Sequence, residues 1–264
     1  MTDHSDTRLS FWESRSGLGI AAGSGDVNLK KLEIDALREA IGSPSTILDA
    51  GCGNGFTLMN LALDVEDALL FGFDYSSGMI QAAINLVAEN NLDNKVSLCQ
   101  ASLLDSFPEA LSSLDLPENG FDCIYTERSI INLDTFEQQS QAVQSLWSML
   151  ARGGRLILCE SFIDGLNEIN SFRKKAGLDL IIQPWHNRYL SLSELSGLFP
   201  GVCQNPRIVE FSGTYYFISR VIHAKEAHIK GCEPCYESEI NKLSLDLPPL
   251  PLFGQSKLVI YTKQ

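Results

Sequence analysis

The sequence predicts an α/β protein built on a mainly parallel sheet with helices on both faces. Three observations carry this. Short apolar runs without polar alternation, TILDA at 46–50 and LLFGFD at 69–74, read as strands buried on both faces. Each is followed by apolar residues at helical spacing, so strand and helix alternate from about residue 46 onward. The first strand enters its helix through a glycine turn, GCGNG at 51–55, which permits sharp reversal and close approach of a ligand.

The elements follow in order. After Thr46–Ala50, a helix carries Leu58, Leu61 and Leu63. After Leu69–Asp74, Ser76 caps a helix with Met79, Ile80, Ala83, Ile84 and Val87 on its apolar positions. The third strand is expected near Val96–Gln100 and the fourth near Phe121–Thr126. Asp134 with Glu137 has capping-box spacing and precedes an apolar face of Phe136, Val143, Leu146, Trp147 and Leu150. Gly153-Gly154 is expected to end that helix, with Arg155–Glu160 as the fifth strand. The alternation then stalls. Residues 162–204 read as a lid insertion, with a helix around Leu166–Leu178 and a second capping signal at Ser191 and Glu194. Residues 205–212 and 256–263 read as the last two strands, making seven, with a helix near Tyr215–Ile229 between them. Ahead of the first strand, Lys30–Ile41 reads as a helix. Residues 11–27 place Phe11, Trp12 and Arg15 beside four glycines. This suggests an ordered, close-packed loop; a flexible arm is the plainer alternative. The 264 residues read as one domain.

Apolar content of 44% and charged content of 20% suit a globular protein. The net charge of −13 argues against a nucleic-acid substrate, because phosphate contacts draw on basic faces. The polar N-terminus has no secretory h-region and no apolar run approaches membrane-span length, so a cytoplasmic location without membrane association is expected. Seven cysteines, four of them inside or beside apolar runs, read as reduced core thiols.

The glycine turn has a partner. Asp74 ends the second strand nineteen residues after Gly55, where a carboxylate can accept both ribose hydroxyls of an adenosyl group. A dinucleotide site would read G-x-G-x-x-G and seat a pyrophosphate on the helix N-terminus. Phe56 stands where the third glycine would be, and Asp49 adjoins the turn. An acid there repels a pyrophosphate and suits the ammonium of a methionine moiety. S-adenosylmethionine (SAM) is therefore favoured over NAD.

The stretches ILDAGCGNG and FGFDYSSGMI, with FDCIYTERSIINL and LARGGRLILCE after them, resemble the motifs of class I SAM-dependent methyltransferases over residues 46–161. The resemblance implies a Rossmann-like class I methyltransferase fold. It also implies that Gly51, Cys52, Gly53 and Asp49 lie at the methionine end of SAM, that Asp74 holds the ribose, and that Tyr75 and Met79 approach the adenine. Met79 reads equally well as ordinary core. An Asp often follows the third strand in this family; here Ser102 stands in its place, with Leu103 beside it. Thr126, Trp12 and Arg15 complete the cofactor set, with residues 1–45 as a covering segment.

Ligands in such sheets bind at the carboxyl ends of strands, so Thr126, Glu127, Arg128 and Asn132 after the fourth strand, and Glu160 after the fifth, are candidates on the acceptor side. Glu127 is a candidate base and Arg128 a candidate anion clamp; the plainer reading has the two paired or at the solvent edge. YTER replaces the N-P-P-Y type motif of nucleobase methyltransferases. The cluster Trp185, His186, Asn187, Arg188, Tyr189 suits a polar small molecule, with His186 as the natural proton acceptor; the alternative is a packed loop with His186 in water. Tyr215, Tyr216 and Arg220 form a further candidate wall, with plain helix packing as the favoured alternative. Arg128, Arg173, Lys174, Lys175 and Arg188 gather in segments expected around the acceptor, which predicts an anionic one, methylated on oxygen or less readily nitrogen. ERSIINL and PWHNRYL are similar to bacterial small-molecule methyltransferases of sugar and natural-product pathways. His223, His228, Cys232 and Cys235 have spacing a zinc ion could use, but the single knuckle argues against a metal. A homodimer is compatible with the sequence. The rival functions are an NAD-dependent oxidoreductase and a non-catalytic SAM-binding protein.

Overall fold

The computed structural model describes residues 4–65, 67–199 and 206–264. Helices α1 (His4–Glu13) and α2 (Val27–Ile41) precede the first strand. Then come β1 (Thr46–Ala50), α3 (Phe56–Asp64), β2 (Leu69–Asp74), α4 (Ser77–Glu89), β3 (Val96–Gln100), the short α5 (Phe107–Ala110), β4 (Phe121–Glu127), α6 (Phe136–Ser148) and β5 (Leu150–Ser161). The remainder is α7 (Ile163–Lys175), α8 (Leu195–Leu198), β6 (Arg207–Val209), α9 (Gly213–Phe217), a π-helical turn (Ile218–His223), α10 (Ala224–Lys230), α11 (Glu239–Leu243) and β7 (Ser256–Thr262).

The seven strands form one sheet in the order β3-β2-β1-β4-β5-β7-β6. β1 to β5 are parallel, and β7 runs antiparallel to both neighbours. Successive residues of each inner strand enter opposite cores, as the pleat requires. Leu48, Phe71, Ile124 and Leu156 pack with Val143 and Leu146 of α6 on one face. Ile47, Leu70, Cys123 and Ile157 pack with Leu37 and Ile41 of α2 and Leu58 and Leu61 of α3 on the other. This double burial is why the strands read as continuous apolar runs. The strand order reverses between β1 and β4, which opens a crevice at their carboxyl ends.

Several boundaries differ from expectation. The cap of α6 is Thr135, whose Oγ1 accepts from Gln138 N at 3.2 Å while Gln138 Oε1 accepts from Asp134 N at 2.9 Å. Asp134 instead receives Arg8. Gly153-Gly154 lies inside β5, held by exchange with Lys263 at 2.7 and 2.9 Å; α6 has already stopped at Ser148. α2 begins at Val27 because Asp26 caps it, accepting from Leu29 N. The helix expected around Leu166–Leu178 is α7, and Ser191 with Glu194 does form a capping box. The end of the expected insertion and Cys203 fall in residues 200–205, outside the described residues. Cys52, Cys99, Cys123 and Cys159 are buried free thiols, whereas Cys232 and Cys235 are exposed. No helix among the described residues is long and apolar enough to cross a membrane.

Candidate active site

A cavity of about 630 Å³ opens at the carboxyl ends of β1, β2, β4 and β5, roofed by the N-terminal segment and the stretch 181–189. Its size is ordinary for a small-molecule site.

The glycine turn forms its floor. Gly51, Gly53 and Gly55 all have positive φ. A Cβ on Gly51 would lie 2.4 Å from Ser129 Cβ, and one on Gly55 would lie 2.8 Å from Ala83 Cβ, so both positions need glycine for packing as well as for conformation. Around Gly53 the space is open, leaving the backbone accessible from the cavity. Gly53 N donates to Asp74 Oδ2 at 3.0 Å and Ser76 N donates to Oδ1 at 2.9 Å. Burial pushes the Asp74 carboxyl up to about 6 against the pull of these bonds. Asp49 is buried on the same floor. Tyr125 donates to its Oδ2 at 2.7 Å, while Oδ1 has no partner among the described residues. Burial raises this carboxyl to about 8. Tyr75, Met79, Ser102 and Leu103 line the opposite end. The Tyr75 hydroxyl is buried without a partner.

Trp12 and Arg15 line the roof. Arg15 is fixed by bonds to the carbonyls of Ala22 and Ala21, the latter at 2.8 Å, and its ion pairs among the described residues number none. Several contacts dock this arm. Asn54 Nδ2 donates to Gly19 O at 2.9 Å, Glu13 accepts from Ser76 Oγ at 2.8 Å, and Phe11 stacks on His186 with ring centroids 4.5 Å apart.

The β4 end differs from expectation. Thr126 does not reach the cavity: its hydroxyl turns into the core and donates to Glu160 at 2.8 Å. Glu160 is fully buried and also accepts from the amides of Ser129, Ile130 and Ile131, so it shapes the loop that follows β4. Glu127 lines the cavity but is already spent. Lys30 donates to both its oxygens at 2.7 Å and Thr57 adds a bond at 2.6 Å. Burial alone would raise its pKa, but the charges of Lys30 and Arg128 hold it below the ordinary value. Such a carboxylate makes a poor base. Arg128 lines the cavity at φ +52 and faces Glu33 at 3.4 Å. Asn132 donates to Arg128 O at 2.7 Å, and its Oδ1 is buried without a partner.

The segment 185–189 divides. His186, Asn187 and Tyr189 line the cavity, and His186 Nδ1 is buried without a partner. Burial first, then Arg8 and Arg15, lower the His186 pKa, so its neutral form prevails near pH 7. Trp185 points outward and is 56% exposed. Arg188 turns away to Glu194 at 2.5 Å and Gln139 at 2.6 Å. Arg173 bonds the carbonyls of Asp179 and Arg220, and neither it nor Lys174 and Lys175 reach the cavity. Tyr215 is buried as a donor to Asp26 Oδ1, and its neighbour Tyr216 faces the cavity instead. The cations that do line it are Arg8, Arg15, Lys30, Arg128 and Arg220. Arg15, Arg128 and Arg220 were candidates from the sequence; Arg8 and Lys30 were not, because they come from segments far from the recognisable motifs. His223 and Cys235 meet only through a bond from Cys235 N to His223 Nε2 at 3.1 Å, and among the described residues no group of three or more His, Cys, Asp or Glu could hold a metal.

The donor-side residues fit the SAM expected from the sequence. The unpartnered Asp49 Oδ1 is an acceptor for an ammonium, the backbone at Gly53 is open, and Asp74 keeps lone pairs for ribose hydroxyls.

Comparison with known proteins agrees. Residues 41–197 match the model of a family described as "Methyltransferase domain". A demethylmenaquinone methyltransferase of Bacteroides fragilis is 26% identical over 117 residues, 44% of this chain and 43% of that protein. A malonyl-[acyl-carrier protein] O-methyltransferase of Hahella chejuensis is 25% identical over 205 residues, 71% of this chain and 62% of that protein. The chain thus spans less than two-thirds of these relatives' lengths. Geranyl diphosphate C-methyltransferase from Streptomyces coelicolor A3(2), solved with Mg2+, geranyl diphosphate and S-adenosyl-L-homocysteine, shares the fold at a TM-score of 0.55 and 14% identity, over 89% of this chain and 80% of that one. The chain belongs to the methyltransferase-domain family.

Proposed function

We propose that this chain is a SAM-dependent methyltransferase that methylates an oxygen, less readily a nitrogen, of a small anionic molecule such as a sugar or natural-product intermediate. One observation carries the reading. The unpartnered Asp49 Oδ1, beside the open glycine turn and Asp74, shares its cavity with the unpartnered Nδ1 of a neutral His186. The first group suits the donor and the second suits proton removal from an acceptor.

Asp49 and the Gly51–Gly53 backbone would hold the methionine end of SAM. Arg15 would meet its carboxylate, Asp74 the ribose, and Tyr75, Met79, Ser102 and Leu103 the adenine. When bound, SAM supplies a methyl group already activated on a sulfonium. The chain's own work is alignment, exclusion of water and deprotonation. Trp12, Phe11 and the arm behind them exclude water. His186 Nδ1 takes the proton of an acceptor hydroxyl. Lys30 neutralises Glu127, so that Glu127 and Thr57 brace the wall beside Asp49 and take no part in proton transfer. The O-methyltransferase relative supports oxygen as the target, and the cations on the cavity wall support an anionic acceptor.

The test is incubation of the protein with methyl-labelled SAM and a bacterial metabolite extract. Label is expected in a small-molecule product and lost in Asp49→Asn. Tight binding of SAM without any labelled product would instead favour a cofactor-binding protein. Binding of NAD in preference to SAM would overturn the donor assignment.

A further inference from the structure

We infer that the acceptor is a carboxylic acid whose carboxylate docks between Arg128 and Arg220, against the hydroxyls of Tyr189 and Tyr216. This rests on the methyltransferase reading above and adds Arg220 and Tyr216 as specificity residues.

The two guanidiniums line the same cavity from different elements. Arg128 stands on the loop after β4, and Arg220 on the π-helical turn Ile218–His223. The charges of both act on Tyr189, and Arg220 lies over the Tyr216 ring at 4.7 Å. All four line the cavity. A π-helical turn often marks a functional insertion, and here it aims Arg220 inward.

Arg220 is held in place. Its Nη2 meets Asp26 Oδ2 at 2.5 Å, its Nη1 donates to Ser219 Oγ at 2.8 Å, and Tyr236 stacks on the far face at 4.5 Å. Arg128 is held loosely. Its contacts are Glu33 at 3.4 Å and Gly23 O at 3.5 Å, and its Nε has no hydrogen-bond partner. A guanidinium has five N–H donors in a planar fork that matches a carboxylate, and most of those of Arg128 remain for a ligand. The Tyr216 hydroxyl makes no hydrogen bond within the described residues, whereas the neighbouring Tyr215 does.

Charge decides the class of anion. Asp26 and Glu33 stand behind the two arginines. Glu33 is fully buried, and burial pushes its carboxyl up to about 7. The pocket therefore has at most about one positive charge to give. A monoanionic carboxylate balances that, and a dianionic phosphate exceeds it. Ile131 and Ile181 supply apolar surface in the same cavity, which suits a compact acid with an apolar body.

The experiment is calorimetric titration of the protein, loaded with S-adenosylhomocysteine (SAH), with benzoate, 4-hydroxycinnamate and octanoate and with their primary amides. At least one acid is expected to bind roughly tenfold or more tightly than its amide. Arg220→Met should abolish that preference and Tyr216→Phe should reduce it about threefold, with SAH affinity unchanged in both. Tyr216→Phe keeps the test open should Arg220→Met fail to fold. Equal binding of acids and amides by the wild type overturns the proposal, as does a preference that survives both substitutions. A fall in SAH affinity of tenfold in either variant also overturns it, because the site would then serve the cofactor's own carboxylate. Failure of the wild type to bind SAH would sink the donor reading separately, and the acid–amide comparison can be made without SAH.

Discussion

The Tyr125 hydroxyl donates to Asp49 Oδ2 at 2.7 Å and leaves Asp49 Oδ1 buried and unpartnered on the cavity floor. Burial raises the Asp49 carboxyl to about 8, so it is mostly protonated at pH 7. An arriving ammonium favours the ionised form. Cofactor binding at pH 7 should therefore release about one proton, and affinity should climb with pH until the cofactor's own amine begins to lose its proton. Calorimetry of SAH binding in buffers of different ionisation enthalpy measures this. Asp49→Asn should remove the proton release and weaken binding roughly 10- to 100-fold, the range of one charge-assisted hydrogen bond.

Stability should fall as pH rises from about 4 to about 8. Burial raises Glu33 to about 7, Asp49 to about 8, Asp74 to about 6 and Glu160 to about 7. Between the ordinary carboxylate pKa and these values, the folded state keeps protons that the unfolded chain has released, so the slope of stability against pH is negative. Glu127 and Glu13 are shifted downward and oppose this only at more acid pH. The urea midpoint should be higher at pH 5.5 than at pH 8; the reverse order would refute the burial argument.

His186→Asn should cut turnover about 100-fold or more if Nδ1 takes the acceptor proton, with SAH affinity changed little. Because burial and Arg8 and Arg15 lower its pKa, the wild-type rate should fall only below the usual histidine range. At saturating SAM, a rate that declines already between pH 7.5 and 6.5 would point to another base.

Arg188→Ala should affect folding and leave the acceptor KM alone. The side chain is bound to Glu194 and Gln139, outside the cavity. With both partners of the ion pair near 30% exposed, the loss should be about 1–2 kcal/mol, read from denaturant unfolding. A selective rise in KM would restore Arg188 to the acceptor site.

Glu160→Ala should cost about 3 kcal/mol or more, since it strands the Thr126 hydroxyl and three backbone amides in the core. Glu160→Gln, which keeps one accepting oxygen, should cost less. Equal stability of the two variants would contradict the clamp role.

The strands and the donor side are legible in the local pattern of residues. Thr46–Ala50 and Leu69–Asp74 are visible because strands covered on both faces need unbroken apolar runs, and Gly51, Gly53 and Gly55 because their positive φ favours glycine, with close packing added at Gly51 and Gly55. Asp49 in β1, Asp74 at the end of β2 and Ser76 at the cap of α4 belong to consecutive elements built on two adjacent parallel strands, so their spacing places them together. Only the tertiary structure decided the acceptor side. Whether a charged residue faces a cavity depends on which distant partner claims it. Glu194 claims Arg188, Lys30 claims Glu127 and Glu160 claims Thr126, while Arg220 enters the cavity that Arg128 lines, 92 residues earlier in the chain, through the packing of α9 and the π-helical turn. Long-range pairing of that kind follows from how the faces of the sheet are covered, which no local pattern encodes.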